Sequence, residues 1–313
     1  MNIDAIQKLA SGLSGWTPPR TDGPIPQGDM PGDKVQIGPE HIAKANTIFP
    51  LLVPLAAEYA HNGRVVISVC GGSGVGKSEI ASLLSHYFRS AGIGSYTLSG
   101  DNYPLRIPMY NDAERNRIFR VAGLRGLVDG GVYSASVRET LSGLWQQETD
   151  ADPALRTAYP WLAVYQDSGR AALAAYLGTD LEQDYKELNG ILSEFHAGAE
   201  SIWLKRMGRT EDARWYDAVD LSDTNVLILE WTHGNSDFLR GVDIPILLNS
   251  TPEQTRAHRR SRSRDGKTDS AFTTMVLEIE QAELDRCAHK AKIILAKTGE
   301  NLTYAQYRAE MEG

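Results

Sequence analysis

One eight-residue segment constrains the fold of this chain more than any other feature. Residues Gly71 to Ser78 read GGSGVGKS, which fits the pattern G-x-x-x-x-G-K-[ST]. A short apolar, β-branched run precedes it at 64–70, and a segment with helical spacing follows it at 78–89. A glycine-rich turn between a buried strand and a helix presents backbone N–H groups and the helix N-terminus to an anion. The segment therefore predicts a phosphate-binding loop, or P-loop.

Each residue type in the P-loop has a physical reason to be there. The glycines allow backbone conformations that other residues avoid. Lys77 is expected to reach the β- and γ-phosphates of ATP, and Ser78 to supply a hydroxyl to Mg²⁺. A chance match in a glycine-rich turn is the alternative, and the flanking strand and helix argue against it. The predicted ATP-binding residues are Gly72, Ser73, Gly74, Val75, Gly76, Lys77, Ser78 and, further along the chain, Arg260.

Apolar runs that alternate with helical patterns predict an α/β fold. A parallel sheet of about five strands, covered by helices on both faces, accounts for them. We expect the strand that enters the P-loop to lie in the middle, flanked by strands that end at Leu98 and near Glu230. The predicted organisation is an irregular, Pro- and Gly-rich arm at 1–40 and a P-loop domain at 41–313, with a helical insertion at about 106–198 and a basic run at about 256–268.

Composition limits the partners of the chain. The formal net charge is −8 over 313 residues, which argues against a general nucleic-acid-binding protein. Its two cysteines, Cys70 and Cys287, argue against a disulfide framework and a cysteine-based metal site. No apolar run reaches the ~18–20 residues that span a bilayer, and the N-terminus lacks the pattern of a secretory signal. We therefore expect a cytoplasmic protein without nucleic-acid or membrane partners, and a homodimer stays open.

Two carboxylates follow predicted strands. Asp101 lies in the sequence SGDNY at 99–103, and Glu230 ends the apolar run LIL. Ligands of open α/β sheets bind at the carboxyl ends of the strands. At these positions the chain resembles the uridine kinase, phosphoribulokinase and pantothenate kinase group of P-loop kinases, and its proline-bearing helix before the first strand looks most like the pantothenate kinase and glycerate kinase branches. A turn-forming aspartate is the alternative for Asp101.

The resemblance implies roles for particular residues. It implies that Asp101 accepts the proton of the substrate hydroxyl or helps to hold Mg²⁺, and that Glu230 lies near the metal. It also implies that the basic run at about 256–268 is a lid that closes over the transferring phosphates; a solvated basic helix face is the alternative. Trp231 stands where relatives usually have glycine, and Ser261 stands where one lid arginine would fall. The implied catalytic residues are Lys77, Asp101, Glu230 and Arg264. The implied metal ligands are Ser78, Asp101 and Glu230. The implied acceptor contacts are Tyr103, Asp184 and His233, and the arginine run adds Arg106. A structural or surface histidine is the alternative for His233, and a helix cap, or Asp180 in its place, is the alternative for Asp184.

These patterns favour an ATP-dependent kinase that transfers the γ-phosphoryl group to a hydroxyl group of a small metabolite. A sulfate-activating kinase, a regulatory ATPase or nucleotide switch, and a nucleotide-binding module that has lost catalysis are the alternatives. We expect an anionic acceptor because arginine forks suit phosphate and carboxylate groups. A charged helix face is the other interpretation of the arginines concerned. They are Arg106, Arg115, Arg117, Arg120 and Arg125.

Overall fold

A mainly parallel sheet forms the centre of the structure, a computed structural model that describes residues 3–251, 253–256 and 270–312. In chain order, the helices are α1 (Ile3–Ser11), α2 (Pro39–Tyr59), α3 (Lys77–Ser90), α4 (Pro108–Asp129), α5 (Ala135–Gln147), α6 (Leu162–Ala174), α7 (Tyr185–His196), α8 (Ala271–Cys287) and α9 (Tyr304–Glu312). The strands are β1 (Val65–Gly71), β2 (Ser95–Ser99), β3 (Ser201–Met207), β4 (Arg214–Asp220), β5 (Val226–Glu230), β6 (Ile244–Leu248), β7 (Ile293–Leu295) and β8 (Asn301–Leu302).

The sheet has the strand order β2-β5-β1-β6-β7-β8, and only β8 runs antiparallel to its neighbour. The predicted α/β fold with five parallel strands is therefore confirmed, with one short strand added. The predicted neighbours of β1 were partly wrong, because β1 lies between β5 and β6 while β2 is at the edge. Every residue of β5 is buried, which suits a strand paired on both sides, whereas Tyr96 in β2 is half-buried.

The N-terminal segment departs from the prediction of an irregular arm over 1–40. Residues 3–11 form α1, which packs against α2. The Trp16 ring lies 5.1 Å from Phe49 and 5.8 Å from Tyr87, so the arm contributes to the main core. The helix α2 also continues through Pro50 and Pro54. Burial of the apolar face around these prolines stabilises the helix despite the two missing N–H donors.

The predicted helical insertion and α8 together form a second hydrophobic core. Helices α4, α5 and α6 bury Phe119, Leu141 and Tyr165 together with Met275 and Ile279 of α8. An antiparallel hairpin of β3 and β4 then follows, which the sequence patterns did not predict. Of the predicted lid, Arg256 is described and forms an ion pair with Glu253 at 2.7 Å. Both Arg260 and Arg264 lie outside the described residues.

Among the residues that the structure describes, no helix has both the length and the apolar character needed to cross a membrane.

Candidate active site

The P-loop connects β1 to α3 at the carboxyl edge of the sheet. Gly76 precedes the first turn of α3 with φ of +97°, and a Cβ atom on this residue would lie 3.0 Å from the His41 ring. Only glycine fits both conditions. The Lys77 Nζ donates a hydrogen bond to the Gly72 carbonyl at 3.2 Å, so the ammonium lies over the loop. The loop amides, the start of α3 and this ammonium make the site electropositive.

Glu230 lies beside the P-loop at the end of β5. It pairs in register with Val69 of β1 on one side and with Ser99 of β2 on the other. Its buried carboxylate accepts a hydrogen bond from the Ser99 hydroxyl at 3.3 Å, and the nearby Ser78 side chain favours its charged form. Burial and the negative charge of Asp101 raise the pKa of Glu230 to about 7, although Lys77 opposes the shift. The fold thus brings together the predicted phosphate and metal ligands.

Asp101 lies next to Glu230 on a single 3₁₀ turn, Gly100–Asn102, directly after β2. Its side chain is exposed, and its backbone amide donates to the Ser99 hydroxyl at 3.1 Å. The buried Trp231 ring explains the shape of this turn, because a Cβ atom on Gly100 would lie 2.0 Å from the indole. Asp101 is therefore an exposed carboxylate on a turn that packs against the buried Trp231. It lies at the sheet edge where the resemblance implied a catalytic base.

The oxygen-bearing side chains at this site are suitable ligands for Mg²⁺. Ser78, Glu230 and Asp101 offer a hydroxyl and two carboxylates, which are hard oxygen ligands. Mg²⁺ is usually held by one or two carboxylates together with substrate phosphates and waters. A divalent cation at this position would offset the desolvation that raises the pKa of Glu230. The donor set therefore supports the predicted metal site.

The structure places two of the predicted acceptor contacts in buried settings. Tyr103 is fully buried and packs in the core with Tyr185 and Trp231, so its ring supports the Asp101 turn and offers no open surface. His233 is buried against Trp231, with ring centroids 5.0 Å apart. Burial lowers the pKa of His233 to about 4, so its imidazole is neutral at physiological pH. Direct acceptor contact by Tyr103 finds no support in this geometry.

The other two predicted contacts are more accessible. Arg106 donates to the Tyr176 hydroxyl at 3.0 Å and to the Leu181 carbonyl at 3.3 Å. Asp184 caps α7 by accepting from the Glu187 amide at 3.0 Å, which is the ordinary role of a helix-opening aspartate. Acceptor binding by Arg106 and Asp184 stays a prediction.

Helix α8 contributes two residues that the sequence patterns did not reveal. Glu280 is largely buried, and its burial raises its pKa within the electrostatic influence of Arg115, Lys77 and Asp101. The adjacent Gln281 lies over the P-loop, since a Cβ atom on Gly72 would be 3.6 Å from its side-chain oxygen. Both residues lie in a polar stretch that reads as the solvated face of a helix, so the sequence carried no signal for them.

The five arginines that suggested an anionic acceptor all contact acidic side chains. Arg115 lies 2.6 Å from the buried Glu182 and 3.6 Å from Glu280. The other four pairs are Arg106–Glu114 (4.0 Å), Arg117–Glu114 (2.7 Å), Arg120–Asp150 (2.9 Å) and Arg125–Asp129 (3.0 Å). The charged-helix interpretation explains these contacts, and the arginines therefore give the anionic acceptor no support.

Comparison with known proteins adds a relative. No family model matches the chain. The bifunctional alpha-galactosidase/sucrose kinase AgaSK of Mediterraneibacter gnavus is 38% identical over 236 residues, which are 75% of this chain and 20% of that protein. The chain thus spans about a fifth of the length of this curated relative.

Three solved structures resemble the chain, each at 16% sequence identity or less. A "putative fructose transport system kinase" from Silicibacter sp. TM1040 is 14% identical, with 82% of this chain and 96% of that chain covered and a TM-score of 0.45. A "possible uridine kinase" from Bacillus stearothermophilus is 14% identical, with 80% and 96% covered and a TM-score of 0.42. The phosphoribulokinase from Rhodobacter spheroides is 16% identical, with 75% and 70% covered and a TM-score of 0.44.

Proposed function

We propose that this chain is an ATP-dependent kinase that transfers the γ-phosphoryl group to a hydroxyl group of a sugar. The observation that carries the proposal is the meeting of the P-loop, Glu230 and Asp101 at one edge of the sheet. The 38% identity to a protein named in part as a sucrose kinase supports both the transfer and the class of acceptor. Because the chain spans a fifth of that relative, its substrate is part of the proposal.

The residues of the site have different roles in the proposed phosphoryl transfer. The P-loop amides and Lys77 hold the phosphates and neutralise the charge that spreads over the transferring group. Ser78 and Glu230 would hold Mg²⁺, which when bound supplies further positive charge to the phosphate oxygens. Asp101 accepts the proton of the attacking hydroxyl, since its exposed carboxylate lies at the open edge of the sheet. The roles of Arg260 and Arg264 stay predictions.

A groove that begins at Asp184, beside the residues that follow the Asp101 turn, and runs along α7 suits a neutral polyhydroxylated acceptor. It has a volume of about 410 Å³, and its lining includes the carboxylates of Asp184, Glu187 and Glu194, the ammonium of Lys186 and the indole of Trp203. Carboxylates accept hydrogen bonds from sugar hydroxyls, and the indole of Trp203, 65% exposed, offers a flat apolar face. Three carboxylates and one lysine line the groove, and Lys205 offsets part of the charge of Asp184 and Glu187, so the lining offers little net positive charge to hold a phosphate. A neutral sugar therefore fits the groove better than the anionic acceptor expected from the arginines.

The groove is physically connected to the candidate base. The Asp184 amide donates to the Tyr103 carbonyl at 2.8 Å, and Tyr103 follows Asp101 by two residues. Lys205 lies 3.0 Å from Glu187 and 3.7 Å from Asp184, with its Nζ atom 5.0 Å from the centre of the Tyr103 ring. An acceptor bound at the Asp184 end of the groove would thus be close to the turn that carries Asp101, whereas Glu194 lies near the end of α7, where Arg64 just before β1 donates to the Phe195 carbonyl at 2.8 Å.

An acceptor screen tests the proposal. ADP release from Mg²⁺-ATP is measured with neutral mono- and disaccharides, with the matching sugar phosphates, and with hydroxy acids. We expect release that depends on a neutral sugar and falls sharply in Asp101→Asn. Equal release with and without every acceptor would instead identify a regulatory ATPase. Release with sugar phosphates alone would restore the anionic acceptor, and no release with any acceptor would indicate a module without catalysis.

A further inference from the structure

The N-terminal arm reaches the turn that carries Asp101 through a single side chain, Asp29. This carboxylate is only 7% exposed. One of its oxygens accepts from the Ser99 amide at 2.7 Å and from the Asn102 side chain at 3.2 Å. The two donors belong to the residues immediately before and after the Gly100–Asp101 step. Asp29 therefore holds the turn from both sides of the candidate base.

The second oxygen of Asp29 joins the arm to the β3–β4 hairpin. It accepts from Arg206 at 2.8 Å and from the Tyr96 hydroxyl at 3.1 Å. Arg206 also donates to Tyr96 at 3.0 Å and pairs with Asp217 at 3.1 Å. Since these donors lie on β2, on the turn after it and on the hairpin, the Asp29 carboxylate connects three separate parts of the chain.

Asn102 completes the connection from the hairpin side. Its side-chain oxygen accepts from the backbone amide of Met207, the last residue of β3, at 3.0 Å. The arm also follows the edge strand closely, since a Cβ atom on Gly28 would lie 3.5 Å from Thr97. Because β2 is at the edge of the sheet, its end has a neighbouring strand on one side only. The arm and the hairpin supply the restraint that a second strand would otherwise give.

We infer that Asp29 is a positioning residue for Asp101, and that Arg206 and Asn102 extend this restraint to the hairpin. The inference rests on the proposed function, because in it Asp29 orients the Asp101 carboxylate towards the acceptor hydroxyl. Misplacing a reacting group by about 1 Å can lower turnover about 100-fold. Asp29 does not touch the reacting atoms and acts only through the geometry of the turn.

A double-mutant cycle tests the inference. Asp29→Asn keeps the shape of the side chain but places an N–H₂ donor opposite the donors Arg206 and Tyr96. We expect kcat for sugar phosphorylation to fall about 10- to 100-fold while KM for ATP stays within about twofold. In the Asp101→Asn background the same change should alter kcat by less than about twofold, because the base that Asp29 positions is already lost. Asp22→Asn, an exposed position of the same arm, is the matched control.

Hydrogen exchange provides a readout that needs no turnover. In Asp29→Asn, amides in residues 95–105 should exchange faster, while those of the P-loop should not change. Asn102→Ala, which leaves Asp29 in place, should give the same pattern and serves if the first variant does not fold. Unchanged exchange in 95–105, or additive losses of kcat in the cycle, would overturn the positioning role. Normal turnover in Asp101→Asn alone would instead refute the base assigned in the proposed function.

Discussion

The Ser99 hydroxyl and the Glu230 carboxylate, at the ends of neighbouring strands β2 and β5, lie 3.3 Å apart. This hydroxyl also accepts a hydrogen bond from the Asp101 amide at 3.1 Å. One serine thus ties the candidate base to the candidate metal ligand. A change at either acid should therefore affect the chemical step while most of the fold is retained.

Removing the charge of Lys77 should abolish most turnover. Lys77→Ala loses the ammonium that lies over the P-loop, and loss of one preorganised electrostatic contact lowers kcat by about 10²- to 10³-fold. The melting temperature should change little, because this side chain faces the ligand. Steady-state ADP release is the measurement, with the exposed Lys34→Ala as control. Turnover of Lys77→Ala close to that of the wild type would contradict the role of the P-loop in transfer.

Replacing Glu230 by glutamine should weaken the use of Mg²⁺. The amide can still accept from Ser99 but lacks the negative charge that attracts the cation, so the Mg²⁺ concentration for half-maximal turnover should rise about tenfold or more at fixed ATP. A Mg²⁺ titration of ADP release measures this. Glu58→Gln, an exposed position on α2, should behave like the wild type. An unchanged Mg²⁺ requirement in Glu230→Gln would remove this residue from the metal site.

Burial of His233 should make stability depend on pH. The folded protein keeps this imidazole neutral down to a pKa of about 4, whereas the unfolded chain takes up the proton near pH 6.5. Stability from this group is therefore fully present above about pH 6.5 and is lost as the pH falls towards 4. The full effect is about 3 kcal/mol, at roughly 1.4 kcal/mol per pKa unit.

Comparison with a variant isolates this contribution. The raised pKa of Glu230, about 7, acts in the opposite direction, since that group favours the folded state more as the pH falls from 7 to about 4.5. Burial also raises the pKa of Asp29 to about 6, so the wild-type profile alone mixes opposing slopes from several groups. Urea unfolding of the wild type and of His233→Asn at several pH values gives the difference, which should grow in favour of the wild type between pH 4 and 6.5. A difference that does not change with pH would show that His233 is not buried as a neutral group.

Replacing Trp203 by alanine should weaken binding of the sugar and leave binding of the nucleotide unchanged. Trp203→Ala removes the exposed apolar face of the groove, and KM for the sugar should rise about tenfold, equivalent to ~1.4 kcal/mol. KM for ATP should not change. Trp215→Ala is the matched control, because cross-strand pairing places Trp203 opposite Ala218 and Trp215 opposite Arg206, on the other face of the hairpin. Equal effects of both substitutions would indicate general loosening of the hairpin.

Much of this architecture was predictable because it follows from local patterns. The β-branched run before the glycines and the helical spacing after Lys77 define the P-loop without information from elsewhere in the chain. The sequence around Asp101 and Glu230 was also enough to place each of them at the end of a strand. The parallel pairing of these strands then brings the two residues together. The parts of the fold that alternating patterns specify were therefore predicted correctly.

The parts that were missed depend on contacts between distant segments. Asp29 lies 70 residues before Ser99 and 177 before Arg206 in the sequence, and a single aspartate in a Pro- and Gly-rich stretch gives no local sign of such partners. Glu280 was missed for the same reason. The five arginines after Tyr103 suggested an anionic acceptor because the sequence shows guanidinium groups but not the carboxylates that the folded chain places beside them.

The most direct test of sugar phosphorylation follows the phosphoryl group itself. The chain is incubated with Mg²⁺ and ATP labelled in the γ-phosphate, together with neutral sugars, and the label is located by chromatography and mass spectrometry. We expect label on a sugar hydroxyl, in an amount equal to the ADP formed, and none above background in Lys77→Ala. Label found only as inorganic phosphate, at a rate that sugars do not change, would contradict transfer to a sugar.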